Sequence, residues 1–295
     1  MNTKYQESDI IDQLKQWAEH QDSVRAMLLT STRANPSAVV DAFSDYDVIL
    51  VVRDIHPFFD DRRWLDDFGD VLVTYWDPIH LAPDYGIEQV TNVIQYADGF
   101  RIDFTLWPIE LLRRIIESKM LPASLDAGYT VLIDKDHLTD GLESPTYSAY
   151  IPKPPTEETY RKVIEDFFSD VPYVAKCLCR DELLPAKWCL DFDMKHVFLR
   201  QMLEWHMELD YDWSEPAGNL GKGLKKKLPA EIWSKLERTY VGADINDNWE
   251  ALFGTMSLFR EVGIDVAEGL GFVYSYDLDE KVTAFVQEMR RINSE

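Results

Sequence analysis

Hydrophobic positions along the chain change their period near its middle. In the first half, apolar residues at helical spacing predict a helix over 9–19. Short apolar runs rich in β-branched residues then predict strands over 24–29, 48–52, 71–76, 90–96 and 100–107. The pair Asp98-Gly99 predicts a two-residue hairpin turn, and a helix is expected after Pro108. The first half is therefore expected to be a mixed α/β unit.

A proline-rich segment over 150–155 separates this half from a helical one. Its three prolines cannot continue a helix or a central strand. Beyond it, Thr156 is expected to cap a helix that Pro172 kinks or interrupts. Further helices are predicted over 192–209, 229–240, 249–262 and 278–292. The predicted fold class is α+β, with a mixed-sheet domain over 1–150 and a helical bundle over 151–295.

Net charge narrows the classes of partner. The 295 residues carry a formal net charge of −23, which disfavours nucleic acid and anionic lipid as partners. Such a surface attracts metal ions and cationic small molecules, with solubility alone as the alternative explanation. Cys177, Cys179 and Cys189 lack the spacing of a zinc site and are interpreted as small core residues. With no signal peptide and no membrane-length apolar run, we expect a cytoplasmic protein, monomeric or weakly dimeric.

Three aspartates are the candidate metal ligands. Asp45 and Asp47 open the second predicted strand, where residues two apart point to the same face. Asp103 lies with Arg101 on the polar face of the strand over 100–107. Two like charges 4 Å apart repel by about 4 kcal/mol at an effective dielectric constant near 20. Mg²⁺ removes that penalty, and such ions promote in-line displacement at phosphorus.

A run of hydroxyl side chains strengthens this interpretation. Alone, an Asp-x-Asp pattern in an acidic chain is more often a polar junction between a loop and a strand, without a function. Here the first strand ends in Thr30-Ser31-Thr32-Arg33, upstream of the aspartates. Backbone amides and hydroxyls of such a turn can hold phosphates while the carboxylates hold a metal ion. Together the two features favour a metal–triphosphate site.

At these residues the chain resembles the DNA polymerase β-like nucleotidyltransferases, and within them the aminoglycoside 6-adenylyltransferases, also called streptomycin adenylyltransferases. The resemblance covers nearly the whole chain and is carried by the segments 30–35, 44–47, 64–69, 98–105, 173–183, 205–206 and 218–227. One departure is that the Gly-Ser pair of the superfamily reads Ser31-Thr32 here. The hydroxyl is kept, but the missing glycine restricts how closely backbone amides approach phosphate.

The resemblance implies transfer of AMP from ATP to a hydroxyl of a cationic antibiotic, with streptomycin as the leading acceptor and Mg²⁺ as the cofactor. A lincosamide or a metabolite is an alternative acceptor, and a non-catalytic nucleotide-binding protein is the alternative class. The metal is expected on Asp45, Asp47 and Asp103. The helical domain is expected to contribute to the acceptor cleft.

The remaining site residues are also assigned by resemblance. Glu182 is the candidate general base, with Asp181 as its competitor. Nucleotide contacts are expected from Ser31, Thr32, Arg33 and Lys187. Aromatic faces suit guanidinium and ammonium groups, although tryptophan on a helix usually belongs to the core. On that basis an acceptor pocket is predicted from Tyr46, Trp76, Trp205 and His206.

Overall fold

The computed structural model describes residues 7–293, and side chains over 9–292. The chain divides into two compact units, Met1–Ala149 and Tyr150–Glu295. Residues 1–6 and 294–295 of the two predicted domains lie outside the described residues. Within the described part, no helix is long and apolar enough to cross a membrane.

The first unit is built on a mixed β-sheet. Its elements in chain order are α1 (Glu7–His20), β1 (Val24–Thr30), a 3-10 turn (Ser31–Ala34), β2 (Tyr46–Val52), α2 (His56–Asp60), a 3-10 segment (Arg62–Phe68), β3 (Val71–Trp76), β4 (His80–Leu81), β5 (Glu88–Tyr96), β6 (Arg101–Pro108), α3 (Ile109–Ser118), α4 (Ala123–Asp126) and β7 (Tyr129–Asp134). The strand order is β3-β5-β6-β2-β1-β7, and β4 pairs with β5. Strands β2 and β6 are parallel, whereas the other pairs are antiparallel.

Two apolar clusters cover opposite faces of this sheet. Val48 and Phe104 belong to the first cluster, which packs against Leu14 of α1. Ile49 belongs to the second cluster, together with Leu111 of α3. Because side chains alternate along a strand, odd-numbered residues of β2 and β6 at this level share the α3 face. That alternation decides where the predicted metal ligands lie.

The turn between β5 and β6 differs from the prediction. The backbone N–H of Tyr96 donates to the carbonyl of Phe100 at 3.0 Å, enclosing Ala97, Asp98 and Gly99. The predicted two-residue turn is therefore wrong, because the turn contains three residues and Gly99 takes a positive φ of 99°. An antiparallel hairpin does form there, as expected.

Two strands of the sheet were missing from the sequence analysis, namely β4 and β7. Strand β7 forms the sheet edge beside β1, pairing Leu29 with Thr130 and Thr30 with Tyr129. Its sequence is rich in β-branched and aromatic residues, so it carried a usable strand signal. Strand β4 has only two residues, too few for any periodic pattern.

The second unit consists of helices. They are α5 (Glu157–Cys179), α6 (Leu183–Lys187), a π-helical segment (Trp188–Leu199), α7 (Arg200–Glu208), a 3-10 turn (Asn219–Gly221), α8 (Leu224–Lys227), α9 (Ala230–Arg238), α10 (Ile245–Leu270) and α11 (Tyr276–Asn293). Thr156 caps α5 as predicted, since its hydroxyl accepts the Thr159 N–H at 3.1 Å. The predicted interruption at Pro172 is wrong, because α5 continues through it. The adjacent Val171 is fully buried, and such packing offsets the missing backbone N–H.

A largely buried ion pair joins α10 to α11. Arg260 donates from Nε to Oδ2 and from Nη2 to Oδ1 of Asp279, both at 2.5 Å. The hydroxyl of Tyr274 donates to the same carboxylate at 2.8 Å. Only 3% of the Asp279 side chain is exposed, so this carboxylate depends on these donors for its solvation.

We predict that Asp279→Asn lowers the free energy of unfolding by about 2–4 kcal/mol, since it removes one charge of a buried pair and leaves Arg260 uncompensated. Urea unfolding followed by circular dichroism measures the change. Asp277→Asn is the matched control. Asp277 is exposed and pairs with Lys281 on the surface, so its loss is expected to stay below about 0.5 kcal/mol. Equal losses of unfolding free energy in the two variants would contradict the larger contribution expected of the buried ion pair.

Candidate active site

Strand register brings two of the predicted metal ligands together. In the parallel pair of β2 and β6, Asp47 lies directly opposite Asp103. Phe104 points into the first apolar cluster, so Asp103 projects from the other face, as does Asp47. Asp45 immediately precedes β2, two residues before Asp47. All three aspartates therefore lie at the end of the sheet where β2 and β6 begin.

Arg101 contacts two of these three carboxylates. Its Nε donates to Oδ1 of Asp103 at 2.7 Å, and its Nη2 donates to Oδ2 at 2.6 Å. Its Nε also lies 3.7 Å from Oδ2 of Asp45. The sequence predicted Arg101 on the polar face of this strand without indicating a role for it. Residues two apart on a strand share a face, so its spacing from Asp103 could have indicated the contact.

The surroundings of Asp47 raise the pKa of its carboxyl group. Burial, followed by the charge of Asp103 and then that of Asp45, raises its pKa from 3.8 to about 6. A hydrogen bond from Ser31 and the charge of Arg101 act in the opposite direction on this pKa. Crowded carboxylate oxygens that bind a proton this readily are also suited to a hard divalent cation. The residues present thus fit the predicted magnesium ion.

The hydroxyl turn adopts a strained backbone at Ser31. This residue begins the 3-10 turn with a φ of 62°, in the left-handed region that glycine adopts without steric cost. The superfamily's glycine at this position therefore has a conformational reason, and serine costs about 1 kcal/mol more. Thr32 lies half-buried within the same turn.

Gly128 holds this turn from the neighbouring chain segment. Its carbonyl accepts the N–H of Ser31 at 3.2 Å. Its own φ is 129°, and a Cβ atom built on it would lie 2.9 Å from the carbonyl oxygen of Ala34. No side chain fits at this position without moving the turn.

Arg33 shapes the loop that leads to Asp45. It donates from Nε to the Asp45 carbonyl at 3.0 Å and from Nη2 to the Ser44 carbonyl at 2.8 Å. Its guanidinium carbon lies 3.8 Å from the ring centroid of Tyr46, whose side chain is buried. A cavity of about 360 Å³ opens beside these residues and is also lined by Arg101. The contacts of Arg33 with nucleotide and of Tyr46 with an acceptor stay predictions.

Trp76 does not join the carboxylates. It ends β3 and pairs with Asn92 on β5, which in turn pairs with Phe104 on β6. Directly paired residues project to the same face, so Trp76 lies on the face opposite Asp103. Its ring packs against Trp64 with the centroids 6.4 Å apart. Tyr46 belongs to the same apolar cluster as Trp76, so the two aromatic residues lie on one face of the sheet, and the acceptor contact of Trp76 stays a prediction.

The charged residues predicted in the helical unit lie at the start and end of α6. Glu182 is exposed at the helix start, with its Oε2 3.9 Å from Nη1 of Arg180. Asp181 precedes it with a positive φ of 58°. Lys187 ends α6, and its Nζ contacts Oδ2 of Asp191 at 2.6 Å and the Val241 carbonyl at 2.9 Å. These contacts engage two of the three N–H donors of the ammonium group, and phosphate binding by Lys187 stays a prediction.

Trp205 and His206 lie on α7. The Trp205 side chain is buried in the helical core, as tryptophan on a helix usually is. Nε2 of His206 lies 3.1 Å from Oδ2 of Asp265, and its Nδ1 is buried without a hydrogen-bond partner. An acceptor contact from Trp205 would require its ring to leave the core.

One further set of potential metal ligands occurs in the second unit. Among the described residues, Asp170, Cys189 and Asp193 form the group of three whose ligand atoms all lie within 4.8 Å of one another. All three cysteines are free, and Cys177 and Cys189 are buried, as expected of core residues.

Comparison with known proteins identifies the family. The family model described as streptomycin adenylyltransferase matches residues 4–289. The chain belongs to this family. It is 29% identical over 282 residues to the aminoglycoside 6-adenylyltransferase of Bacillus subtilis (strain 168), covering 95% of this chain and 96% of that protein. It is 28% identical over 287 residues to the corresponding protein of Campylobacter jejuni, covering 97% and 96%.

A solved structure of an aminoglycoside 6-adenyltransferase from Bacillus subtilis aligns with 97% of this chain and 99% of that chain, at a TM-score of 0.44 and 24% identity. Family membership makes the chain a nucleotidyltransferase, as the sequence analysis expected.

We predict that Asp47→Asn stabilises the metal-free enzyme near neutral pH. A folded-state pKa of about 6 against 3.8 means that the folded state loses stability as pH rises through this window. Asparagine does not ionise, so the variant avoids that loss. Its free energy of unfolding is expected to exceed that of the wild type by about 1–3 kcal/mol at roughly pH 8 and to equal it at roughly pH 4. Unfolding in the presence of a chelator measures it. Asp12→Asn, an exposed position on α1, is the control and is expected to be neutral. Destabilisation of the Asp47 variant at the higher pH would refute the interpretation.

Proposed function

We propose that this nucleotidyltransferase transfers AMP from ATP to a hydroxyl group of an aminoglycoside. The observation that carries the proposal is the register that sets Asp47 against Asp103, with Asp45 close by. The named relatives support the acceptor class. Streptomycin is the first candidate, because its guanidinium groups complement a chain with a net charge of −23.

In this proposal Asp45, Asp47 and Asp103 hold Mg²⁺. They offer the carboxylate oxygens that this ion prefers, and their mutual repulsion favours a cation between them. When bound, the ion offsets the negative charge of the phosphates. The turn beginning at Ser31 presents small hydroxyl side chains next to this position, suited to phosphate oxygens.

The transfer itself is a displacement at the α-phosphorus of ATP. The acceptor hydroxyl oxygen forms the new bond to this phosphorus while the bond to the oxygen bridging to the β-phosphorus breaks. Pyrophosphate leaves, and the hydroxyl proton passes to a general base. Glu182 is the candidate for that base and Asp181 the alternative.

Incubation of the enzyme with ATP, Mg²⁺ and an acceptor panel, followed by product mass, tests the reaction. The panel contains streptomycin, other aminoglycosides, a lincosamide and an acceptor-free control. We expect adenylylated aminoglycoside from the wild type and loss of at least about a hundredfold in turnover for Asp47→Asn, because transition-state charge loses its main stabilisation. Asp12→Asn is expected to retain activity. Near-normal turnover in Asp47→Asn would refute the mechanism, and a product with the lincosamide alone would refute the acceptor class.

Replacement of each candidate base separates their roles. If Glu182 takes the proton, Glu182→Gln lowers kcat by about 10²–10⁴-fold and leaves binding of ATP unchanged. Asp181→Asn then has a small effect on kcat. Asparagine adopts the left-handed backbone of Asp181 equally well, so this variant removes the charge without straining the chain. Steady-state kinetics with streptomycin over a pH series measures both variants. The reverse order of effects would assign the base to Asp181.

A further inference from the structure

Arg101 binds the carboxylate of Asp103 through both of its oxygens. The guanidinium makes a forked contact, with Nε and Nη2 at 2.7 and 2.6 Å from the two oxygens. Side chains two apart on one strand face permit this contact without distorting β6. A paired contact of this type is among the strongest that a carboxylate makes in a protein.

The same guanidinium also acts on the other two carboxylates. It lies 3.7 Å from Oδ2 of Asp45, and its charge lowers the pKa of Asp47. Among the described residues, Arg101 is thus a cation that binds one predicted metal ligand directly and lies within ion-pair distance of a second.

A divalent cation and this fork compete for Asp103. Mg²⁺ requires short oxygen contacts in near-octahedral geometry, whereas the fork already uses one lone pair on each carboxylate oxygen and fixes the orientation of the group. The guanidinium would also be repelled by a second cation on the same carboxylate. Its planar donor pattern matches phosphate as well as carboxylate. Arg101 lines the cavity of about 360 Å³ beside Asp45, and its side chain is 38% exposed, which leaves it room to turn.

We propose that Arg101 is a positioning residue that exchanges partners during the reaction cycle. In the free enzyme it holds Asp103 and Asp45 in place, and when the metal–nucleotide complex binds it leaves Asp103 for a phosphate group of the nucleotide. This inference rests on the proposed function of the same site. It assigns Arg101 two opposite effects, against binding of the free cation and in favour of binding of the nucleotide.

Binding of Mn²⁺, followed by electron paramagnetic resonance with and without a non-hydrolysable ATP analogue, tests the exchange. For Arg101→Gln we expect affinity for Mn²⁺ alone to rise about tenfold, because a charge-assisted competitor is removed. We expect its affinity for the analogue in the presence of Mn²⁺ to fall about tenfold, because a phosphate contact is lost. A residue that only orients Asp103 would weaken both.

Arg101→Lys distinguishes the effect of the forked contact with Asp103 from the effect of a positive charge alone. Lysine keeps the charge but cannot hold both carboxylate oxygens. If Arg101 exchanges Asp103 for phosphate, this variant is also expected to bind Mn²⁺ more tightly than the wild type does. Wild-type affinity in Arg101→Lys, or unchanged or weaker Mn²⁺ binding in Arg101→Gln, would overturn the proposal. Unchanged affinity for the analogue in Arg101→Gln would overturn the move to phosphate.

The two proposals fail in different ways. If the wild type binds no Mn²⁺, or binds it equally well after Asp47→Asn, the metal site of the proposed function is refuted. If Mn²⁺ binding depends on Asp47 but does not respond to Arg101 as described, only the exchange is refuted. Circular dichroism of each variant shows that it is folded before binding is measured.

Discussion

A single parallel strand pair, β2 beside β6, lies between antiparallel neighbours in the sheet of the first unit. Parallel strands begin at the same edge, so the residues that open each strand become neighbours although they are far apart in the chain. A shift of one residue would turn Asp47 or Asp103 into the apolar cluster. The buried Val48 and Phe104 therefore fix the register, and the register fixes the carboxylates.

The cost of this arrangement is electrostatic. Asp47 is partly buried beside two other carboxyl groups, and its pKa is raised first by burial and then by repulsion from Asp103 and Asp45. The hydrogen bond from Ser31 and the charge of Arg101 both lower this pKa. Active sites commonly keep such unfavourable charge arrangements, because the substrate or the ion that binds there relieves them.

Much of this architecture follows from the sequence, where alternation and helical periodicity are strong. The strand that follows Asp47 was predicted from its continuous apolar run, and the strand around Asp103 from the alternation of apolar and polar residues. The helix α5 was predicted, but its course through Pro172 depends on tertiary packing that no local pattern contains. The sheet face on which Trp76 lies could not be predicted either, because it depends on the pairing of β3 with β5.

The site shows the same division. Residue types and spacing were enough to select the three aspartates and the hydroxyl turn. The contact of Arg101 with Asp103 and the enclosure of Tyr46 beneath Arg33 required three-dimensional positions. Local sequence also carries no information on whether a side chain such as Lys187 already has partners, and here it contacts Asp191 and Val241.

Gly128 limits which substitutions this chain can accept near the site. The turn itself tolerates exchange of glycine for serine at position 31, at a modest conformational cost. Gly128 tolerates no side chain, because the backbone of Ala34 lies where a Cβ atom would be. We therefore expect substitutions to be tolerated better at position 31, within the recognisable motif, than at Gly128, almost a hundred residues downstream. A genetic screen for loss of activity should therefore recover changes at a position that no motif search would mark.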